Sequence, residues 1–176
     1  MTKRKKKQAE ITLSLDTYDD IFSDFDLRHF SERALSDDFL VEAKKASREK
    51  SSGRLELNFS IPKKERNLKD EAVIRKRLQS HFHKHHKIIQ KEITSTKKNG
   101  LFMTIAGLIM LVFAGYLSSL KSEVFFIHLT KTLLEPAGWF LAWSGMDNII
   151  YHWKSLQLDL EFYKKMSECE IEFIST

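Results

Sequence analysis

Residues 101–120 read LFMTIAGLIMLVFAGYLSSL, twenty consecutive positions without a charged side chain. At about 1.5 Å of helix rise per residue, such a run matches a hydrocarbon core roughly 30 Å thick. A soluble protein would have to bury this helix inside a large core, and 176 residues, 30% of them charged, supply little to surround it with. The run therefore predicts a transmembrane helix, with a buried core helix as the competing reading.

A second apolar stretch follows. Residues 133–153 read LLEPAGWFLAWSGMDNIIYHW, and a span is expected over about 133–151. Pro136 suits the first turn of a helix, where its missing N–H costs little. Glu135 would then lie near the membrane surface, and Trp139, Trp143, Tyr151 and Trp153 supply interfacial aromatics. Asp147 must face a partner helix, water or the lower interface, because a carboxylate facing lipid is expensive. Glu135 and Asp147 are accordingly the candidate intramembrane functional residues, and an interfacial or re-entrant helix is the alternative to a full span. Gly107, Gly115, Gly138 and Gly145 are candidate helix-packing positions, since small residues let helix backbones approach closely.

Charge supplies an orientation. Lys84, Lys87, Lys91, Lys97 and Lys98 precede the first span, Lys154, Lys164 and Lys165 follow the second, and the intervening loop of about 121–132 holds two lysines. The positive-inside rule then puts both termini in the cytoplasm. Residues 1–99 hold 24 Lys+Arg against 16 Asp+Glu, whereas 100–176 hold 5 against 8. A basic soluble part beside an apolar part points to a lipid bilayer with anionic headgroups as partner, ahead of nucleic acid. The start, with KRKKK at 3–7, has no apolar run behind it and is not a secretory signal. It predicts a flexible basic arm over 1–8.

The soluble part alternates. Ile11, Leu13 and Leu15 in 9–16, Leu55, Leu57, Phe59 and Ile61 in 54–62, and Cys169, Ile171 and Phe173 in 168–176 each give one apolar strand face. Three such strands need one sheet, so the C-terminal tail is expected to return to the N-terminal strands. Ser36 with Asp37 and Asp38 predicts a helix start, running to about 50 and followed by a turn at 51–53. Asn67 predicts the cap of a second helix that continues, with one break near 94–99, into the first span. A third helix is expected over about 155–166. The expected fold is an α+β or α/β membrane protein: a small three-stranded sheet with flanking helices plus a two-helix transmembrane hairpin. Its parts are a cytoplasmic α/β domain over 9–98, the hairpin over 100–153, and a returning helix and strand over 154–176.

Candidate chemistry is sparse. His81 and His85 are four apart, as metal ligands on a helix are, with His83 and His86 beside them. Lys84 and Lys87 would repel a cation, and no H-E-x-x-H pattern is present. A solvated basic face is the competing reading, and a pH-dependent membrane contact lies between the two. Asp16, Asp19, Asp20, Asp24 and Asp26 suggest turn and cap chemistry or, alternatively, a divalent-metal site. They lack the glycine and terminal glutamate of a calcium loop. The single cysteine, Cys169, forbids an intrachain disulfide, and its strand position suggests packing rather than nucleophilic catalysis. No phosphate-binding, dinucleotide or nucleophile-elbow motif occurs, so no enzyme activity, cofactor or metal is expected.

Residues 30–39 (FSERALSDDF), the strand–proline–basic–helix passage 55–82, and the block Glu135, Gly138-Trp139, Trp143, Tyr151-x-Trp153 together resemble a family of small bacterial two-span inner-membrane proteins of unknown function. The resemblance covers the chain from about Phe25. It departs at Pro136, Ser144 and Asp147, and in having histidines where the family has a mostly arginine-rich stretch. It implies the two-span architecture and no activity. The expected function is a non-enzymatic inner-membrane protein whose cytoplasmic domain binds a membrane-protein partner or forms a homo-oligomer. The alternatives are a ligand-responsive effector whose oligomeric hairpin alters permeability and a membrane-surface enzyme with an Asp-based metal site.

Overall fold

A computed structural model describes residues 9–49, 55–120 and 124–175. The expected basic arm, the 51–53 turn and the head of the 121–132 loop lie outside the described residues. The chain is mostly helical with one small parallel sheet: β1 (Ala9–Ser14), α1 (Asp37–Glu49), β2 (Leu55–Ile61), α2 (Leu68–Ser119), α3 (Phe125–Asp147), α4 (Trp153–Ser167) and β3 (Glu170–Ser175). It divides into two units, one of Met1–Lys87 with Leu160–Thr176 and one of Ile88–Asp159.

In the first unit the strand order is β1-β2-β3, parallel throughout. The tail does return, in register: Ile11, Leu57 and Ile171 form one row, and Leu13, Phe59 and Phe173 the next. Both crossovers step one strand over in the same direction, and right-handed connections then put their helices on one face. Side-chain contacts agree. Phe39 of α1 lies 5.9 Å from Phe59 between ring centroids, and the Arg75 guanidinium of α2 sits over the Phe173 ring at 5.9 Å. Under that face Phe39 and Ala43 of α1, Ile74, Leu78 and Phe82 of α2, and Phe162 and Met166 of α4 are buried, each four residues from the next along its helix. The other sheet face carries the alternate polar residues.

Local chemistry starts the helices where expected. α1 opens after Ser36, whose carbonyl accepts the Leu40 N–H at 3.1 Å. Asn67 caps α2: its Oδ1 accepts the Lys69 N–H at 3.0 Å. The expected break near 94–99 is absent, and α2 runs unbroken for 52 residues. Neither proline nor a second glycine interrupts it before Gly107, so the backbone hydrogen-bond ladder has no reason to open.

The second unit departs from the expected loop, and its second helix starts earlier than expected. Among the described residues one helix, α2, is long and apolar enough to cross a membrane, and α3 is not. α3 starts at Phe125, not near 133, with Val124 accepting the Ile127 and His128 N–H groups. Phe125, Phe126, Ile127 and Leu129 continue the apolar helix into what the lysines suggested was loop. Pro136 consequently falls inside the helix instead of its first turn, leaving the Thr132 carbonyl without its usual donor. A π-type turn, Asn148–His152, then joins α3 to α4.

Candidate functional site

α2 and α3 meet along small residues in the second unit. Gly138, Ala142 and Gly145 are the buried positions of α3, spaced four and three apart and so on one stripe. A Cβ on Gly107 would collide with the Ala142 nitrogen and come within 2.6 Å of the Gly138 carbonyl oxygen. A Cβ on Gly138 would lie 2.9 Å from the Leu111 side chain, and one on Gly145 would strike Thr104 and reach 2.6 Å from the Gly100 oxygen. The partners run in opposite order, 100 to 111 against 145 to 138, so the pair is antiparallel. Backbone-on-backbone contact of this kind is available only where side chains are absent.

Three of the four candidate glycines lie in this contact. Gly115 does not: nothing lies within 4 Å of a Cβ built on it. Gly100, not singled out in the sequence as a packing residue, joins instead. Its place seven residues, about two helical turns, before Gly107 was the available signal, and a Cβ on it would lie 2.9 Å from the Gly145 carbonyl oxygen.

Both candidate acidic residues are exposed on α3. Glu135 lies one turn beyond the Leu111–Gly138 contact, level with Gly115 and so close to the end of α2. Asp147 is the last residue of α3, next to the π-type turn. The five lysines of the basic face, Lys84, Lys87, Lys91, Lys97 and Lys98, are all exposed along α2. Within the second unit the Lys97 ammonium lies 3.9 Å from the Trp153 ring centroid, a close cation–π contact.

The histidines separate into two kinds. His83 is exposed, whereas His81 stacks on His85 at 4.2 Å and His85 on Tyr163 at 5.3 Å. The His81 Nε2 is buried without a hydrogen-bond partner. Burial, then the neighbouring His85, Arg77 and Lys84, push His81 down to about 4, and burial also lowers His85. The His81 ring is therefore neutral near pH 7, and the two rings form an aromatic stack. Among the described residues no three His, Cys, Asp or Glu side chains converge to hold a metal ion.

The acidic stretch is used locally. Asp19 pairs with Arg33, Asp20 accepts the Asp16 and Thr17 N–H groups at 2.7 and 3.1 Å, and Asp26 binds Arg28 at 2.8 Å and the Ala34 N–H at 2.7 Å. The Arg28 guanidinium holds the Asp26 carboxyl well below the usual range. Cys169 is buried, its thiol donates to the Met166 carbonyl at 3.1 Å, and burial pushes it up to about 11, which disfavours the thiolate a nucleophile requires.

One network has no counterpart in the sequence reading. Glu71, 3% exposed, accepts from Tyr18 at 3.1 Å and from Arg66 at 2.8 and 3.0 Å. The Tyr18 oxygen in turn accepts the Asn67 N–H at 2.9 Å, and Arg66 reaches Ser175 of β3 at 3.0 Å. It ties the start of α2 to β3 and to the loop after β1. No known protein family, curated protein or solved structure matches the chain.

Proposed function

We propose that the chain is a non-enzymatic two-span inner-membrane protein, with both termini cytoplasmic and a cytoplasmic α/β unit that binds a membrane-protein partner or a second copy. The observation that carries this reading is the apolar surface of the second unit. Phe102, Val112 and Phe140 are 73%, 75% and 72% exposed, and only 17% of the most apolar stretch of α2 is buried. Water would not tolerate so large a continuous apolar patch, and lipid would. The packed Gly107–Gly138–Gly145 seam supports counting α3 as the second span despite its lower apolarity, because a helix paired in lipid need present only its outer side to the tails. The resemblance to two-span inner-membrane proteins belongs to the same proposal. Alkaline carbonate treatment of membranes tests it: the chain should stay in the pellet, and release into the supernatant would refute the reading.

The exposed carboxylates on α3 favour a second reading, an effector whose hairpin oligomerises and alters permeability. Both stand near the ends of the apolar helix pair, where contact of a carboxylate with lipid is costly, and a neighbouring copy would shield them from it. Liposomes loaded with dye should then leak with the wild-type chain and leak less with Glu135→Gln or Asp147→Asn. A wild-type chain that does not leak excludes this reading and leaves the first standing.

A further inference from the structure

Parallel sheets ordinarily have both faces covered. Here the buried residues of α1, α2 and α4 gather with the apolar strand residues on one face, and among the described residues the charged side chains of the other face are all of one sign. Glu10, Glu56 and Glu170 stand directly in register across the three strands, and Glu172 is in register with Asn58. Among the described residues no outward position of these strands is a lysine or arginine. Like charges directly opposed on adjacent strands repel, so this face is incomplete as it stands. A second observation points to what is missing. Asn58 is only 4% exposed, and its Nδ2 donates to the Glu10 carboxylate at 2.7 Å, which aims the amide into the acidic row. Its Oδ1 is buried with no hydrogen-bond partner. A buried acceptor needs a donor, and the neighbouring carboxylates favour a cationic one.

We propose that the chain's own basic arm, KRKKK at 3–7, docks across the Glu10–Glu56–Glu170 row, with an ammonium group reaching the Asn58 oxygen. The strands are parallel and the row lies at their N-terminal ends, so it stands where the chain enters β1. One residue, Gln8, separates the arm from Ala9. Five extended residues span about 17 Å, and three strands about 4.8 Å apart make a row roughly 10 Å wide, so the arm is long enough to cross it. Tethering gives the arm a high effective concentration there that a free peptide lacks. An anionic bilayer would compete for the same lysines.

Carbodiimide cross-linking of the full chain in an uncharged detergent at low salt tests this, because the reagent joins lysine and carboxylate only when they touch. Mass spectrometry should find arm lysines joined to Glu56 or Glu170 at least about tenfold more often than to the exposed Asp24 or Glu161, and salt of about 1 M should suppress the links. An equal mixture of isotope-labelled and unlabelled chain should show these links within one chain. The proposal is overturned if no such links form, if they join different chains, or if they appear only after Arg54→Gln. The last result would mean that Arg54, next to β2 in sequence, already neutralises the row.

Discussion

Gly107 and Gly138 face each other across the α2–α3 contact so closely that a methyl group on Gly107 would lie 2.6 Å from the Gly138 carbonyl oxygen. The obstructing atoms are backbone, which cannot swing aside. Gly107→Ala should therefore force the helices apart and lower stability by about 1–3 kcal/mol, the usual cost of overpacking. Gly115→Ala is the matched control, since open space surrounds it. It should be neutral or stabilising by up to about 1 kcal/mol through helix propensity. Thermal unfolding of both variants in one detergent checks the difference.

Arg66→Met should be more harmful than the loss of a surface charge. Among the described residues it leaves the buried Glu71 carboxylate with the Tyr18 hydroxyl as its one side-chain hydrogen-bond donor, so thermal unfolding should shift to a lower temperature by more than it does for an exposed pair such as Lys45–Glu42. Arg66, burial aside, holds the Glu71 carboxyl below its ordinary value of 4.5. A depressed carboxyl contributes stability that is present above 4.5 and lost as pH falls below it. Arg66→Met should flatten that acid limb of the unfolding curve, and an unchanged limb would count against the ion pair.

His81 works in a higher window. Its folded value of about 4 lies beneath the ordinary 6.5, so between those values the unfolded chain binds a proton that the folded chain refuses. Stability should decline as pH falls from 6.5 to about 4, with His85 adding to the slope. His81→Phe should lessen the decline and, by removing an unpartnered buried nitrogen, gain about 1 kcal/mol at pH 7. Chemical denaturation at several pH values measures both effects.

Cys169 should resist alkylation while the chain is folded. A rise from 9.0 to about 11 leaves about a hundredfold less thiolate, and burial slows access further. Maleimide labelling should be at least about 100-fold slower in the folded chain than in denaturant.

Local signals accounted for much of the fold. Alternation marked all three strands, and Asn67 marked the start of α2, because each feature depends on neighbours in sequence. Alternation assigns a residue to a face but not to a partner, so the parallel register that aligns Glu10 with Glu56 and Glu170 could not be foreseen. The Tyr18–Glu71 hydrogen bond joins residues 53 apart, and nothing local to either announces the other. Lys121 and Lys131 mark a loop by charge alone, whereas Phe125 and Leu129, four apart, already have the spacing of the helix that starts at Phe125. Glycine identity likewise marked candidates for close packing, but only the helix register separates Gly107, which is packed, from Gly115, which is open.

The most direct test of the two-span account is the sidedness of three positions. In a Cys169→Ser background, cysteines placed singly at Thr2, Ser122 and Ser175 are exposed to a membrane-impermeant maleimide in intact cells or right-side-out vesicles. The account predicts labelling of Ser122→Cys from outside, with Thr2→Cys and Ser175→Cys protected until the membrane is opened. Labelling of either terminal cysteine from outside, or protection of Ser122→Cys, would contradict it.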